Sequence, residues 1–217
     1  MNKIFLENCI KTLTNRDIEY DYVFTGPPDF HEVGISPSNP NQYKNFLKEI
    51  FGKFTPKKNV VTIVITDRKY NSTIIPKHMI INEIFSECGW NLYNHKIWVK
   101  TDKVDWFRLT YSHILVYTKG KIKQNKYKPY FPDVWMVGKI PVINGFTNGM
   151  PLDIPERCIL NFTNEGDIVY DPFMGTGTTA LACIKYNRYY YGSEISKEIY
   201  FILQKRLNNV TAENLFF

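Results

Sequence analysis

The stretch that most constrains what this chain can fold into is residues 167–180, Asp167-Ile168-Val169-Tyr170-Asp171-Pro172-Phe173-Met174-Gly175-Thr176-Gly177-Thr178-Thr179-Ala180. It reads as a buried strand, a glycine-containing turn and the start of a helix. Pro172 ends the strand ladder because it has no N–H. Gly175 and Gly177 permit backbone angles and a closeness of approach that a side chain would forbid. Thr178 and Thr179 are placed to cap a helix carrying Ala180, Leu181, Ala182 and Ile184. A turn of this kind at the carboxyl end of a strand is where open α/β sheets bind nucleoside-containing ligands.

The rest of the chain supplies strands and helices in alternation. Residues 3–6, 20–24, 60–66, 92–99, 112–118 and 189–195 read as strands. The run Val60-Val61-Thr62-Ile63-Val64-Ile65-Thr66 is nearly continuously apolar, as expected of a strand buried on both faces of a parallel sheet. Helical spacing follows Tyr43, again after Pro76 with Gly89 as the stop, over 155–161, and over 196–207. Residues 31–41 read as a loop, as do 141–150. This pattern predicts one α/β domain over 1–217, a three-layer sandwich with a mostly parallel sheet.

Composition narrows the function classes. Hydrophobic residues make up 44% of the 217, enough for a sizeable core, and the formal charge of +6 favours a polyanionic partner. The cysteines, Cys9, Cys88, Cys158 and Cys183, form no C-x-x-C pair, so neither a zinc site nor a disulfide framework is expected. The histidines have no metal-ligand spacing, and His113, inside a strand, is expected to be a satisfied structural residue. The N-terminal apolar run is too short for a signal peptide, and no stretch approaches the roughly 20 residues that span a membrane. A soluble protein of the cytoplasm is therefore expected.

The glycine turn lacks the lysine and spacing of a phosphate-binding P-loop. A dinucleotide reading survives only weakly, with Ala180 where the last small residue falls. Asp171 at the strand end can hold an ammonium or a hydroxyl. Glu194, at the end of the next strand, can accept from both ribose hydroxyls. An amine-bearing nucleoside such as S-adenosyl-L-methionine suits this pair better than a pyrophosphate.

A second motif lies near the N-terminus, Thr25-Gly26-Pro27-Pro28-Asp29-Phe30 at the end of a predicted strand. Together with 171–179 it resembles the DNA methyltransferases that modify exocyclic amino groups, the N4-cytosine and N6-adenine family. Their cofactor motif D-P-F-x-G-x-G-T-T is matched at every fixed position. Their proline motif D/N/S-P-P-Y/F/W precedes it here, the β-class order. Further stretches resemble the family in sequence order: Leu6-Glu7-Asn8-Cys9, Ile97-Trp98-Val99-Lys100, His113-Ile114-Leu115-Val116-Tyr117, Asp133-Val134-Trp135 and the helix around Arg157. The resemblance implies the class-I methyltransferase fold in permuted order. It implies S-adenosyl-L-methionine as cofactor, held by Asn8, Cys9, Thr25, Asp171, Phe173, Gly175, Gly177, Thr178, Thr179, Glu194 and Ile195. It also implies DNA as partner, with a base extruded from the duplex.

The proline motif departs from the family at two positions. Gly26 replaces the side chain that accepts from the target amino group, and Asp29 replaces the aromatic that stacks on the base. The carbonyls of Gly26 and Pro27, held stiff by Pro27 and Pro28, can still accept. After a local backbone shift, Asp29 would supply the missing carboxylate and Phe30 the stack. An alternative is a catalytically impaired partner subunit that keeps the fold; another is methylation of RNA or of a modified base. His31 and the lysines Lys119, Lys121, Lys123, Lys126 and Lys128 are candidate DNA contacts, the lysines in a basic segment at about 119–134. So short a segment implies either economical sequence reading or help from a second copy or subunit.

Overall fold

The computed structural model describes residues 2–101, 109–125, 131–138 and 149–210. Its sheet is explained by the strand β3 (Val60–Ile65), which is buried along its whole length. Alternate side chains leave opposite faces of a strand. Val61, Ile63 and Ile65 therefore enter one core, and Val60 and Val64 the other. Thr62 faces the second core, where its hydroxyl oxygen accepts from Tyr22 at 2.6 Å.

Five strands run parallel: β1 (Lys3–Leu6), β10 (Tyr189–Glu194), β9 (Ile168–Asp171), β2 (Tyr22–Thr25) and β3, in that spatial order. Beyond β3 come β7 (Tyr111–Thr118) and β6 (Asn91–Val99), each antiparallel to its inner neighbour, then β8 (Val134–Met136), parallel to β6. One face carries α1 (Cys9–Asn15), α2 (Pro40–Phe51) and α3 (Lys77–Glu87), packed through Leu13, Leu47, Ile50, Ile81 and Phe85. The other carries α4 (Asp153–Phe162), α5 (Thr178–Lys185) and α6 (Lys197–Asn208), packed through Cys158, Ile159, Ala182 and Leu203. The three-layer expectation is met, and no described helix is long and apolar enough to cross a membrane.

One local element is unexpected, and one expectation changes. A hairpin of β4 (Arg68–Tyr70) and β5 (Thr73–Ile75) follows β3, turned by Asn71 and Ser72 at φ 45° and 62°. Positive φ at both central residues is what a two-residue hairpin loop of type I′ demands, but no glycine announces it here. The segment after the proline motif is also more ordered than a loop. Residues Phe30–Val33 form a 3₁₀ turn with a capping box between Asp29 and Glu32, and Asn39 and Pro40 start α2.

Candidate active site

The carboxyl ends of β9 and β2 are neighbours, with Val23 opposite Tyr170. This brings the glycine turn beside the proline turn, although 146 positions separate Thr25 from Asp171. Thr25, the last residue of β2, donates its hydroxyl to Asp171 Oδ1 at 2.6 Å. Thr179 donates to Asp171 Oδ2 at 2.6 Å, and the Phe173 N–H donates to Oδ1 at 3.0 Å. Three of about four carboxylate lone-pair sites are thus used. Burial pushes the Asp171 carboxyl up to about 6, against the pull of the two hydroxyls and the N–H. Asp171 therefore ties the two turns together.

Thr178 and Thr179 do not cap α5. Its N-cap is Gly177, without a side-chain cap bond. Asp171 takes the Thr179 hydroxyl, and Arg206 of α6 lies 3.3 Å from that of Thr178 while donating to the Thr176 carbonyl at 3.0 Å. Arg206 is a holder of the glycine turn that sequence reading missed, since nothing in its helix pattern distinguishes it. The two glycines also differ. At Gly177 (φ 86°) an added Cβ would come within 3.2 Å of Leu203, so glycine serves helix packing there. At Gly175 (φ 54°) it would meet nothing nearer than the Phe173 carbonyl at 3.9 Å, so this is the open side of the turn.

Glu194 ends β10, next to β9. Its Oε2 accepts from Gly175 N–H at 3.0 Å and its Oε1 from Ser196 N–H at 2.8 Å. Two acceptor sites remain. Burial raises its carboxyl, partly offset by the N–H groups of Ser196, Gly175 and Ile195. Ile195 beside it is 71% exposed. Asn8 lies two residues past Leu6, which pairs with Glu194. It caps α1, its Oδ1 accepting from Ile10 N–H at 2.9 Å. The Cys9 thiol is in the core, pushed up to about 12 by burial. Phe173 is half-buried against the same core.

The proline turn is clamped from three sides. Tyr43 of α2 donates its hydroxyl to the Pro28 carbonyl at 2.7 Å. Lys77 of α3, almost fully buried, donates to Asp29 Oδ1 at 2.9 Å, and Arg68 of the hairpin donates to Oδ2 at 3.1 Å. Burial alone would raise the Asp29 carboxyl. Lys77, the Phe30 N–H and Arg68 outweigh it and hold the group below the usual carboxylate range. The Asp29 and Phe30 side chains are both engaged within the chain. Asp29 is a structural ion-pair partner and cap, and Phe30 is 0% exposed, its ring stacked on Tyr43 at 4.3 Å. The Asp29 side chain keeps 20% of its surface exposed. Gly26 is half-buried; a Cβ there would meet Met150 Cε at 3.4 Å and the Val64 carbonyl at 3.5 Å, ordinary contact distances. His31 is exposed, its Nδ1 3.7 Å from Asp29 Oδ2.

The described part of the basic segment lies at the other edge of the sheet. Thr118 pairs with Val60, the first residue of β3, and the Lys119 N–H donates to the Asn59 carbonyl. Asn125 donates to the carbonyls of Leu160, Asn161 and Thr163 at the end of α4. Six strand residues at about 3.3 Å each put Lys119 roughly 20 Å from the carboxyl edge. Its ammonium lies 4.7 Å from the Trp90 ring centre, while Lys121 and Lys123 are exposed. Lys126 and Lys128 lie outside the described residues. Among the described residues, cations at the carboxyl edge include Arg68, Lys69, Lys77 and Lys100, the last donating to Thr66 at 2.6 Å.

A protein-family model described as DNA methylase, the N6/N4 type, matches residues 20–205. Among curated proteins, the chain is 37% identical to the type II methyltransferase M.HpaI of Haemophilus parainfluenzae, over 95% of this chain and 74% of that one. It is 25% identical to the orphan methyltransferase M.BamHII of Bacillus amyloliquefaciens, over 89% and 90%. Several further type II methyltransferases are covered for 57% of their length or less. The fold is similar to that of a DNA modification methylase from Thermus thermophilus, TTHA0409, solved in complex with S-adenosyl-L-methionine, at a TM-score of 0.75 and 20% identity over 95% of this chain and 93% of that one. With a family model over most of its length, and a relative matching nearly all of it, the chain belongs to the N6/N4 DNA methylase family.

Proposed function

We propose that the chain transfers a methyl group from S-adenosyl-L-methionine to an exocyclic amino nitrogen of a DNA base. The observation that carries this reading is the Thr25–Asp171 hydrogen bond, which holds the proline turn and the glycine turn at adjacent strand ends. The residues fit the cofactor. Gly175 leaves room, and Glu194 keeps two acceptor sites for the ribose hydroxyls. Ile195 offers an apolar surface for adenine and Asn8 a polar group beside it. Asp171 has one lone pair left for the amino-acid end.

When bound, the cofactor supplies an electrophilic methyl on its sulfonium. The chain's own part is to aim the amino lone pair at that carbon, in line with the sulfur. Carbonyl oxygens of Gly26 and Pro27 would accept from the amino hydrogens, and a carbonyl held by two prolines needs little reorganisation as the nitrogen becomes positive. Tyr43, Lys77 and Arg68 keep that turn in place. The base must leave the duplex to arrive there. The exposed Lys69 and the hairpin around it stand at this edge and are the first candidates to hold phosphates, ahead of Lys119, Lys121 and Lys123.

DNA from cells making the protein, digested to nucleosides and analysed by mass, tests the reading: a methylated amino base should appear that control cells lack. A second reading, a partner subunit that binds the cofactor without transferring its methyl, is favoured by the bare Gly26, the ion-paired Asp29 and the buried Phe30. Cofactor binding by calorimetry with no methylated base would select it.

A further inference from the structure

We propose that Asp67, His78 and His113 form a binding site for one divalent transition-metal ion of the zinc type. Asp67 follows β3, His78 lies in the first turn of α3, and His113 lies in β7, paired with Ile65 at the end of β3. Their ligand atoms all lie within 4.8 Å of one another. The side chains of Asp67 and His113 are only 6% and 7% exposed, and His78, at 27%, leaves a way in from solvent. Two imidazoles and a carboxylate are a donor set suited to zinc, with a fourth position open.

The arrangement around His113 points to a cation. Its Nε2 is buried without a hydrogen-bond partner, 3.4 Å from Asp67 Oδ2. Its Nδ1 is 2.9 Å from His95 Nε2. In one tautomer Nε2–H faces Asp67 and Nδ1 accepts from His95; in the other, whose proton sits on Nδ1 and is donated to His95, the Nε2 lone pair is free for a metal. Metal-binding histidines use their second nitrogen in this way, to fix tautomer and ring direction. His78 Nδ1 lies 2.8 Å from both oxygens of Asp67, and its ring stacks on His113 at 4.0 Å. One dication shared by both rings and Asp67 would use a lone pair from each of the three groups. An ion here would join the end of β3 to β7 and to the start of α3. Arg68 and Lys77, each next in sequence to one of these ligands, are the residues that clamp Asp29.

The test uses the full chain without an affinity tag, stripped with a chelator. Zn²⁺ titration by calorimetry and Co²⁺ titration followed by visible absorption should each saturate near one equivalent, and Zn²⁺ should raise the melting temperature. His113→Gln and Asp67→Asn should abolish saturation. His95→Phe, which removes the partner of Nδ1, should weaken affinity about 10–100-fold. His78 is partly exposed, so His78→Gln tests the site even if His113→Gln does not fold. Absence of saturable binding to the unsubstituted chain would overturn the proposal. So would Zn²⁺ affinity unchanged in both His78→Gln and Asp67→Asn, the result expected if a proton alone links these groups. No readout depends on methyl transfer.

Discussion

The glycine turn and the proline turn are built on neighbouring strands, yet they are held in different ways. At the glycine turn Asp171 holds Thr25 and Thr179, and Arg206 holds Thr176, while Gly175 keeps an open side and Glu194 has acceptor capacity to spare. At the proline turn the polar and aromatic groups that could face a substrate are themselves the holding groups. Asp29 is spent on Lys77 and Arg68, and Phe30 on Tyr43. One turn separates support from contact; the other leaves contact to its backbone carbonyls.

The largest effect is expected where the two regions join. Asp171→Ala leaves two hydroxyls and an N–H buried without their acceptor, a cost on the order of 3 kcal/mol or more. Urea unfolding should show that loss, and calorimetry should show no binding of S-adenosyl-L-methionine. Asp171→Asn adds a pH signature. The folded carboxyl is raised to about 6 from an ordinary value of 3.8. Its contribution to stability is thus fully present below about pH 4 and lost as pH rises to about 6. The stability of Asp171→Asn relative to the unsubstituted chain should rise across that window and stay level above it.

Next in size is the clamp on the proline turn. Asp29→Ala strands the buried Lys77 ammonium, at about 2 kcal/mol after allowing for the partial exposure of Asp29. Adding Lys77→Met should recover most of that stability. A recovered fold that still transfers methyl groups would show that Asp29 acts on the turn and not on the base. Smaller in stability, and opposite in sign for activity, is Gly26→Ser. Contacts of 3.4 and 3.5 Å for its Cβ allow the side chain at under about 1 kcal/mol. One added oxygen acceptor should speed transfer up to roughly tenfold, read in single-turnover assays. The smallest effect separates the two edges of the sheet. Lys69→Ala should lower the salt dependence of DNA affinity by about one phosphate contact, and Lys121→Ala should leave it unchanged.

Much of this was legible in the sequence because it is local. The apolar run of β3, the stop at Gly89 and the glycine turn each follow from neighbouring residues. The pairing of Glu194 with the glycine turn followed from one strand being next to another. What was not legible depends on distant partners. Lys77 and Arg68 reach Asp29 across 48 and 39 positions, and without them Asp29 looks like a free carboxylate. Thr178 and Thr179 follow a helix-capping pattern, but Asp171 and Arg206 outcompete the cap. The basic segment shows its charge in sequence and not its edge, which the antiparallel direction of β7 decides. The hairpin turn at Asn71 and Ser72 lacks the glycine that would have announced it. The histidines looked scattered because three strands and a helix are needed to bring them to Asp67.

The most direct measurement incubates the purified chain with S-adenosyl-L-methionine carrying a deuterated methyl group and with duplex DNA, then analyses the digested nucleosides by mass. The account predicts label on an exocyclic amino nitrogen, absent from a reaction with Asp171→Ala. Saturable cofactor binding with no labelled base, on DNA offering every short sequence, would contradict it and leave the proline turn as a scaffold without chemistry.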